Sequence, residues 1–222
     1  MRLNAQEVES DRPALPQQAR ASVIPAANLT VGFTDKLDLT LYHWRFIGNI
    51  DGSEVQARVR YGFSERFGFN LRYYGFYQSA TETRPAPYDH RIRFEPTTSL
   101  RLPGGFGLFG RARLEYRWRD LPNEWRLRPF VRVDHAIRVG SHDFLPFAYV
   151  EAYYNFRRRF LASVNPALGI GTNLAPKFTL NVWSEFGVVR GRGRDTWNSF
   201  VGLAYRIGHR WHPSEPEQQR AH

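Results

Sequence analysis

Arginine and glutamate recur at every second residue through the middle of this chain. The runs Arg91-x-Arg93-x-Glu95, Arg111-x-Arg113-x-Glu115-x-Arg117 and Arg126-x-Arg128 are the clearest. Spacing by two places such side chains on one face of an extended strand. A guanidinium is a planar fork of donors that can serve several carboxylates at once, which an ammonium does poorly. The bias is extreme, because Lys36 and Lys177 are the only lysines. The alternating set comprises Arg58, Arg60, Arg72, Arg91, Arg93, Arg111, Arg113, Arg117, Arg126, Arg128, Arg132 and Arg138. Its acidic partners are Glu95, Glu115, Asp134, Glu151 and Glu185. Two chemistries follow: a salt-bridged filling that stiffens an interior, or a path biased toward anions because cations outnumber carboxylates.

Other residue pairs offer less. Asp89 and His90 are adjacent, as an acid/base pair at a rim would be, yet no convincingly placed Ser and no hydrolase motif accompany them. They are expected to be plain polar rim residues, so an enzyme is the less favoured reading. His142-Asp143 falls at the opposite rim. His209 and His212 have ligand spacing without further ligands in the tail, and neither a metal nor any other cofactor is expected. Arg190-Gly191-Arg192-Gly193-Arg194 could suit a nucleic acid, but the remaining arginines are spread over many strands and their face lacks an exposed aromatic platform. No nucleic-acid partner is expected. The run instead suits lipopolysaccharide phosphates.

Strands must position these groups. From residue 36 to 207 the pattern is alternation. Val55, Ala57, Val59, Tyr61 and Phe63 interleave with Gln56, Arg58 and Arg60. After Ser64-Glu65-Arg66, the residues Phe67, Phe69, Leu71, Tyr73 and Tyr77 continue the same apolar face. Similar strands cover 91–102, 108–118 and 125–139, with weaker ones near 36–46, 145–156, 161–172, 177–189 and 197–207. Most are longer than the ~5–6 residues common in soluble sheets. Short turns at 64–66, 103–105 and 173–176 alternate with longer polar loops at 79–89, 119–124 and 190–196. The connections at 140–144 and 157–160 fit this alternation less well. The expectation is an all-β, antiparallel up-and-down transmembrane β-barrel of about ten strands, or twelve if residues 29–33 open another hairpin. Eleven is disfavoured, because an even count keeps both ends on one side. Residues 1–27 and 208–222 read as flexible ends around a barrel domain of 28–207.

Composition narrows the class. The chain has 222 residues, no cysteine, and 17 Phe, 11 Tyr and 6 Trp, with a formal net charge of +10. Disulfide scaffolds and thiol chemistry are excluded, and so is a disordered chain. No apolar run reaches the ~20 residues of a membrane helix, and mean hydropathy is −0.52. Residues 1–27 hold no apolar core of the secretory kind, so any export signal lies outside them.

Four features turn the apolar face toward lipid. The strands have the ~9–11 residues needed to cross the hydrocarbon layer at a tilt. The apolar face from 54 to 207 carries no Asp, Glu, Lys or Arg. Aromatics gather at strand ends, among them Tyr61, Phe63, Phe67, Tyr77, Trp118, Trp125 and Trp197. The polar face uses Arg almost to the exclusion of Lys, as a crowded lumen would.

The stretch Asp89-His90-Arg91, the strand Arg111-Ala112-Arg113-Leu114-Glu115-Tyr116-Arg117-Trp118 and Arg126-Leu127-Arg128 together resemble a bacterial family of outer-membrane β-barrels of unknown function. Glu151, and Gly169-Ile170-Gly171, are similar to its later landmarks, and Asp89 stands where that family carries Glu. The resemblance implies an outer-membrane location in a Gram-negative cell and little about activity. The expected function is an outer-membrane protein that is structural, or a narrow porin-like pore with an Arg-rich, positively biased lumen. The lipid bilayer, lipopolysaccharide and small anions are its expected partners. A rim-located outer-membrane hydrolase (on protein or lipid) and a soluble barrel holding an apolar ligand or nucleic acid are the alternatives.

Neighbouring residues test the facing. If Leu114 meets lipid and Arg113 the lumen, Leu114→Trp is tolerated in detergent-folded protein. Arg113→Leu strands Glu115 or another carboxylate and destabilises the fold. A packed core behind Leu114 would instead resist the larger ring by ~1–3 kcal/mol, and denaturant titration of both variants reads the order.

Overall fold

Short turns are built by local chemistry. The Thr34 hydroxyl accepts hydrogen bonds from the backbone N–H of Lys36 (3.2 Å) and Leu37 (3.0 Å), and Ser64 does the same for Arg66 (3.3 Å) and Phe67 (3.1 Å). Pro103-Gly104-Gly105 forms a 3-10 turn whose glycines take φ of 76° and 79°, a conformation a side chain would oppose. Between such turns run long strands. The computed structural model of the chain describes residues 20–48, 52–78, 88–119, 123–157, 159–189 and 195–208. The strands are β1 (Arg20–Gly32), β2 (Leu37–Gly48), β3 (Gly52–Gly62), β4 (Phe67–Gln78), β5 (Tyr88–Arg101), β6 (Phe106–Arg119), β7 (Glu124–His135), β8 (Ile137–Val139), β9 (His142–Asn155), β10 (Phe160–Ala175), β11 (Phe178–Val189) and β12 (Thr196–Gly208).

The strands close into a single barrel in the order β10-β11-β12-β1-β2-β3-β4-β5-β6-β7-β9, with β9 pairing back onto β10. The all-β barrel matches the expectation. Its stave count is eleven, between the ten and twelve expected and the number that parity disfavoured. The purely antiparallel expectation is also corrected. β1 and β12 pair in parallel from Arg20↔Thr196 to Gly32↔Gly208, while the other pairs are antiparallel. The extra stave is β1. It begins at Arg20, inside the stretch read as an irregular N-terminal segment. The three-residue β8 pairs with β9 alone and is not a stave.

Burial is inverted relative to a water-soluble domain. Glu95 and Glu115 are 0% exposed, and Asp38, Gln56, Arg93 and Arg113 are buried with them. Val55, Leu71, Ile92, Phe94, Val131, Leu168 and Val201 lie on the exposed outside. Charges occupy the lumen and apolar side chains the outer wall.

The lumen has two unlike halves. Strands β3–β7 and β9 project long charged side chains inward. The facing wall uses small or apolar ones: Ile24, Ala26, Ala167, Gly169, Phe200 and Gly202. A Cβ at Gly169 would lie 2.4 Å from both Phe147 Cζ and Trp183 Cβ, so this wall is already in contact with its neighbours. Trp183 stacks on Phe200 at 4.6 Å, and Trp44 meets Phe200 edge-on at 5.7 Å.

Proline marks the weak points of the ladder. Pairing skips Ile24 and Pro25 between β1 and β2, Glu95 and Pro96 between β5 and β6, Arg128 and Pro129 between β7 and β9, and Asn165 and Pro166 between β10 and β11. Proline lacks the N–H the ladder needs. At three of these gaps lumen side chains bridge the strands instead: Arg113 to Glu95, Arg128 to Glu151, and Asn165 to Glu185 at 3.0 Å.

The parallel seam can be checked chemically, because the natural chain has no competing cysteine. Asn28→Cys paired with Ala204→Cys, neighbours in the register, is expected to link with a short bis-thiol reagent. Asn28→Cys with Thr196→Cys, at distant levels, is expected to stay unlinked on a denaturing gel.

Candidate functional site

Five carboxylates organise the lumen, and each is approached by more than one guanidinium. Glu115 takes Arg93 at 2.6 Å, Arg128 at 3.4 Å and Arg91 at 3.6 Å. Glu95 takes Arg113, Arg72 at 3.4 Å and the Asn70 amide at 3.2 Å. Glu151 takes Arg128, Arg111 at 2.9 Å and Arg113 at 3.6 Å. Asp89 is held by Arg91 at 2.6 Å and by Arg117, whose Nε donates at 2.8 Å. Glu124 is held by Arg126, by Arg117 at 3.4 Å and by the Asn155 amide at 2.7 Å. Shared arginines join the five into one chain. It runs Glu95–Arg113–Glu151–Arg128–Glu115–Arg91–Asp89–Arg117–Glu124 and ties β5, β6, β7 and β9 together.

Strand register dictates the arrangement. Arg93 lies opposite Glu115, but Arg58 lies opposite Arg72 and Arg72 opposite Arg93, which places like charges side by side. Carboxylates one row away offset part of that repulsion, and aromatic rings offset more. Tyr74 lies between Arg91 and Arg93, each 4.2 Å from its ring centre, and Tyr42 lies between Arg58 and Arg72 at 5.3 Å. Arg111 lies over Phe130 at 4.4 Å, and Arg132 over Phe147 at 4.3 Å. Aromatics therefore do interleave with the arginine face, as internal spacers rather than as an exposed platform.

Most of the sequence-derived lumen residues meet here. Arg58, Arg60, Arg72, Arg91, Arg93, Arg111, Arg113, Glu115, Arg117, Arg126, Arg128 and Glu151 are in the ion-pair lumen, and Arg132 pairs with Asp134 at 3.0 Å nearer a mouth. Glu185 is held apart from the chain by the Tyr149 hydroxyl at 2.8 Å and by Asn165. Arg138 does not belong. It lies on β8 with its side chain 56% exposed and pairs with Asp143 at 3.2 Å. Arg113, expected to serve Glu115 or another carboxylate, bonds Glu95 and approaches Glu151.

Four more carboxylates face inward than the alternation counted: Asp38, Glu54, Asp89 and Glu124. Each lies near the end of its strand, where a sequence reading assigns loop or rim. Glu54 is bonded by Gln56. These acids bring the lumen closer to neutrality, although its arginines remain the larger group among the described residues.

The rim pair separates. Asp89 points into the lumen and is fully engaged with Arg91 and Arg117. His90 points outward, where its Nδ1 meets the Tyr73 hydroxyl at 2.6 Å and its ring stacks on Trp118 at 5.9 Å with Tyr77 edge-on at 5.6 Å. Side chains on opposite faces of a strand cannot share a proton-transfer step. The Arg190–Arg194 run, His209 and His212 lie outside the described residues.

Because Glu115 is dry and serves three arginines, Glu115→Gln is expected to cost about 3–5 kcal/mol while keeping side-chain volume. Glu185→Gln, which loses no ion pair, is expected to cost about 1 kcal/mol. Urea unfolding in detergent micelles, read by tryptophan fluorescence, measures both.

No curated protein matches the chain at a significant level. A family model does, over residues 27–183, which include every member of the ion-pair chain, numbered from Asp89 to Glu151. By that match the chain belongs to the DUF2490 family of proteins of unknown function.

Proposed function

We propose that this protein is an outer-membrane β-barrel of a Gram-negative cell whose lumen is closed at mid-height by its own ion pairs. The observation that carries the reading is the inverted burial: Glu95 and Glu115 are wholly enclosed while Leu168 is 71% exposed on the outer wall. An apolar outer surface of this extent is costly in water and stabilising in lipid. The outer aromatics support two interfacial belts. Tyr61, Phe63 and Phe69 cluster at the short-turn end, and Tyr116, Trp118 and Trp125 at the long-loop end. His90, set among Tyr73, Tyr77 and Trp118, sits at the level where lipopolysaccharide headgroups would meet the barrel.

Interlocked arginines favour a structural barrel over a wide pore. A guanidinium shared between two carboxylates is not free to swing aside for a solute. Any residual path prefers small anions, since fixed positive charge in a low-dielectric channel selects the counter-ion. The hydrolase alternative loses support with the opposed directions of Asp89 and His90.

Urea-unfolded protein diluted into liposomes is expected to gain β-structure and protease protection, and to aggregate when diluted into buffer alone. A monodisperse, folded monomer in buffer without detergent overturns the membrane reading. In planar bilayers the expected result is silence, or small anion-selective currents. Large or cation-selective currents overturn the closed lumen.

A further inference from the structure

The outer wall carries no charge along its described staves except on β2. That strand turns Leu41, His43, Arg45 and Ile47 outward, because Tyr42, Trp44 and Phe46 alternate with them toward the lumen. Among the described side chains of the staves, Arg45 is the one charged group that faces outward, and both it and His43 are exposed. Strand register sets them into two adjoining rows. His43 lies beside Val55 of β3, Val55 beside Gly75 of β4, Gly75 beside His90 of β5, and His90 beside Trp118 of β6. Nearer the long-loop rim, Arg45 lies beside Ser53 and Ser53 beside Tyr77. Arg45 Nη1 donates to the Ser53 hydroxyl at 3.4 Å.

Height on the wall decides what such a pair can do. A cation facing lipid is strongly destabilising at the bilayer midplane and nearly neutral close to the interface. Arg45 lies near the end of β2, at the level marked by the rings of Tyr73, Tyr77, His90 and Trp118. Gly75 shapes the ground between the two groups. A Cβ there would lie 3.2 Å from the Tyr77 ring, so Tyr77 leans over bare backbone. From His43 to His90 the wall therefore carries only Val55 and Gly75, a shallow saddle with hydrogen-bonding groups on both shoulders. Long loops face the cell exterior in such barrels, so the saddle meets the outer leaflet. There a guanidinium and an imidazole meet phosphate oxygens, and rings with an apolar face and a polar tip suit a sugar.

We propose that His43, Arg45, Ser53, Tyr77, His90 and Trp118 form a binding site on the outer wall for the phosphorylated sugar headgroup of lipopolysaccharide. The site rests on the outer-membrane reading and adds which lipid meets which flank of the barrel. Arg45 and His43 donate to phosphate oxygens. A guanidinium carries five donors, so Arg45 can serve neighbouring side chains and a phosphate together. The rings of Tyr77, His90 and Trp118 pack against the sugar across the saddle. On the far flank Phe186, Val188 and Trp197 take the long-loop level of β11 and β12, and they bring rings and apolar surface without charge.

The test uses the full chain, first folded into liposomes of neutral phosphatidylcholine. Failure to insert overturns the membrane reading and the site with it, whereas insertion without lipid A binding overturns the site alone. Inserted protein is extracted into maltoside and titrated with diphosphoryl lipid A, phosphatidylglycerol and inorganic phosphate at matched ionic strength. Native mass spectrometry counts the bound lipid. Lipid A is expected to bind, and phosphatidylglycerol, which lacks the sugar, to bind several-fold more weakly. Arg45→Gln is expected to weaken lipid A about tenfold, as the loss of one charged hydrogen bond implies. Lys177→Gln, in the turn before β11 on the opposite rim, is expected to leave it unchanged. Both side chains are exposed, so both variants are expected to insert as the natural chain does. Should Arg45→Gln fail to insert, His43→Gln carries the decision, with a smaller loss of lipid A binding expected. Equal binding of lipid A and phosphatidylglycerol, equal effects of the variant and the Lys177→Gln control, or displacement of lipid A by inorganic phosphate each overturn the proposal.

Discussion

An ion inside a barrel this narrow cannot be left alone, and the rest of the structure follows from that. Removing a carboxylate or guanidinium from water costs several kcal/mol per ion, which attraction offsets only where geometry and extra hydrogen bonds are good. Sharing is the solution adopted here. Arg113 serves Glu95 and Glu151, Arg128 serves Glu151 and Glu115, and Arg117 serves Asp89 and Glu124. Lysine, a compact point charge, could not span two acids on different strands. The near-absence of lysine from the sequence is therefore explained by position as well as by composition.

The same requirement shapes elements that carry no charge. Arginines reaching inward from β3 to β7 take up lumen volume, and the opposite wall answers with alanine and glycine. Tyrosine and phenylalanine occupy the spaces between arginines that register forces together. Even the ladder breaks fit this scheme. Pro96 and Pro129 point outward, while Glu95 and Arg128 beside them point inward to ion pairs that hold the strands where backbone pairing lapses. Backbone and side-chain cross-links thus trade places along the barrel.

Legibility in the sequence tracks contrast between the two faces. From Val55 to His135 the strands set apolar residues against Arg and other polar side chains, so facing could be read, whereas the pairings, such as Arg113 with Glu95, depend on register. Around β10, β11 and β12 the inward residues are Ala167, Gly169, Trp183, Phe200 and Gly202, so alternation fades although the strands are as long. Of β1 only the end, within residues 29–33, reads as a candidate strand, for the same reason. Its outward Val23, Ala27, Leu29 and Val31 alternate with Ile24 and Ala26, and Pro25 imitates a break. Asp89 and Glu124 fall at the ends of the polar loops 79–89 and 119–124, and Asp38 in the weakly patterned strand 36–46, so alternation does not mark their inward facing. No local pattern announces that three arginines from β3 and β12 will meet at Asp38, since that depends on closure.

Closure also explains the odd count. β2 runs from the short-turn rim to the long-loop rim and β12 runs the other way, so these two could pair antiparallel and close a ten-stave barrel. β1 lies between them instead, antiparallel to β2 and hence parallel to β12. Parallel pairing is slightly weaker per residue, so the insertion needs some other gain. It widens the barrel by one stave, beside a wall that must make room for arginines reaching from the far side. It also places Thr30 between Arg206 and Thr40, spacing the Arg206 guanidinium from Arg58 while keeping both near Asp38. With β12 directly against β2, Arg206 would lie one strand closer to Arg58 and Arg60, and the three guanidiniums would crowd Asp38 at shorter range. The parallel stave is thus what lets three arginines share one acid at the mouth.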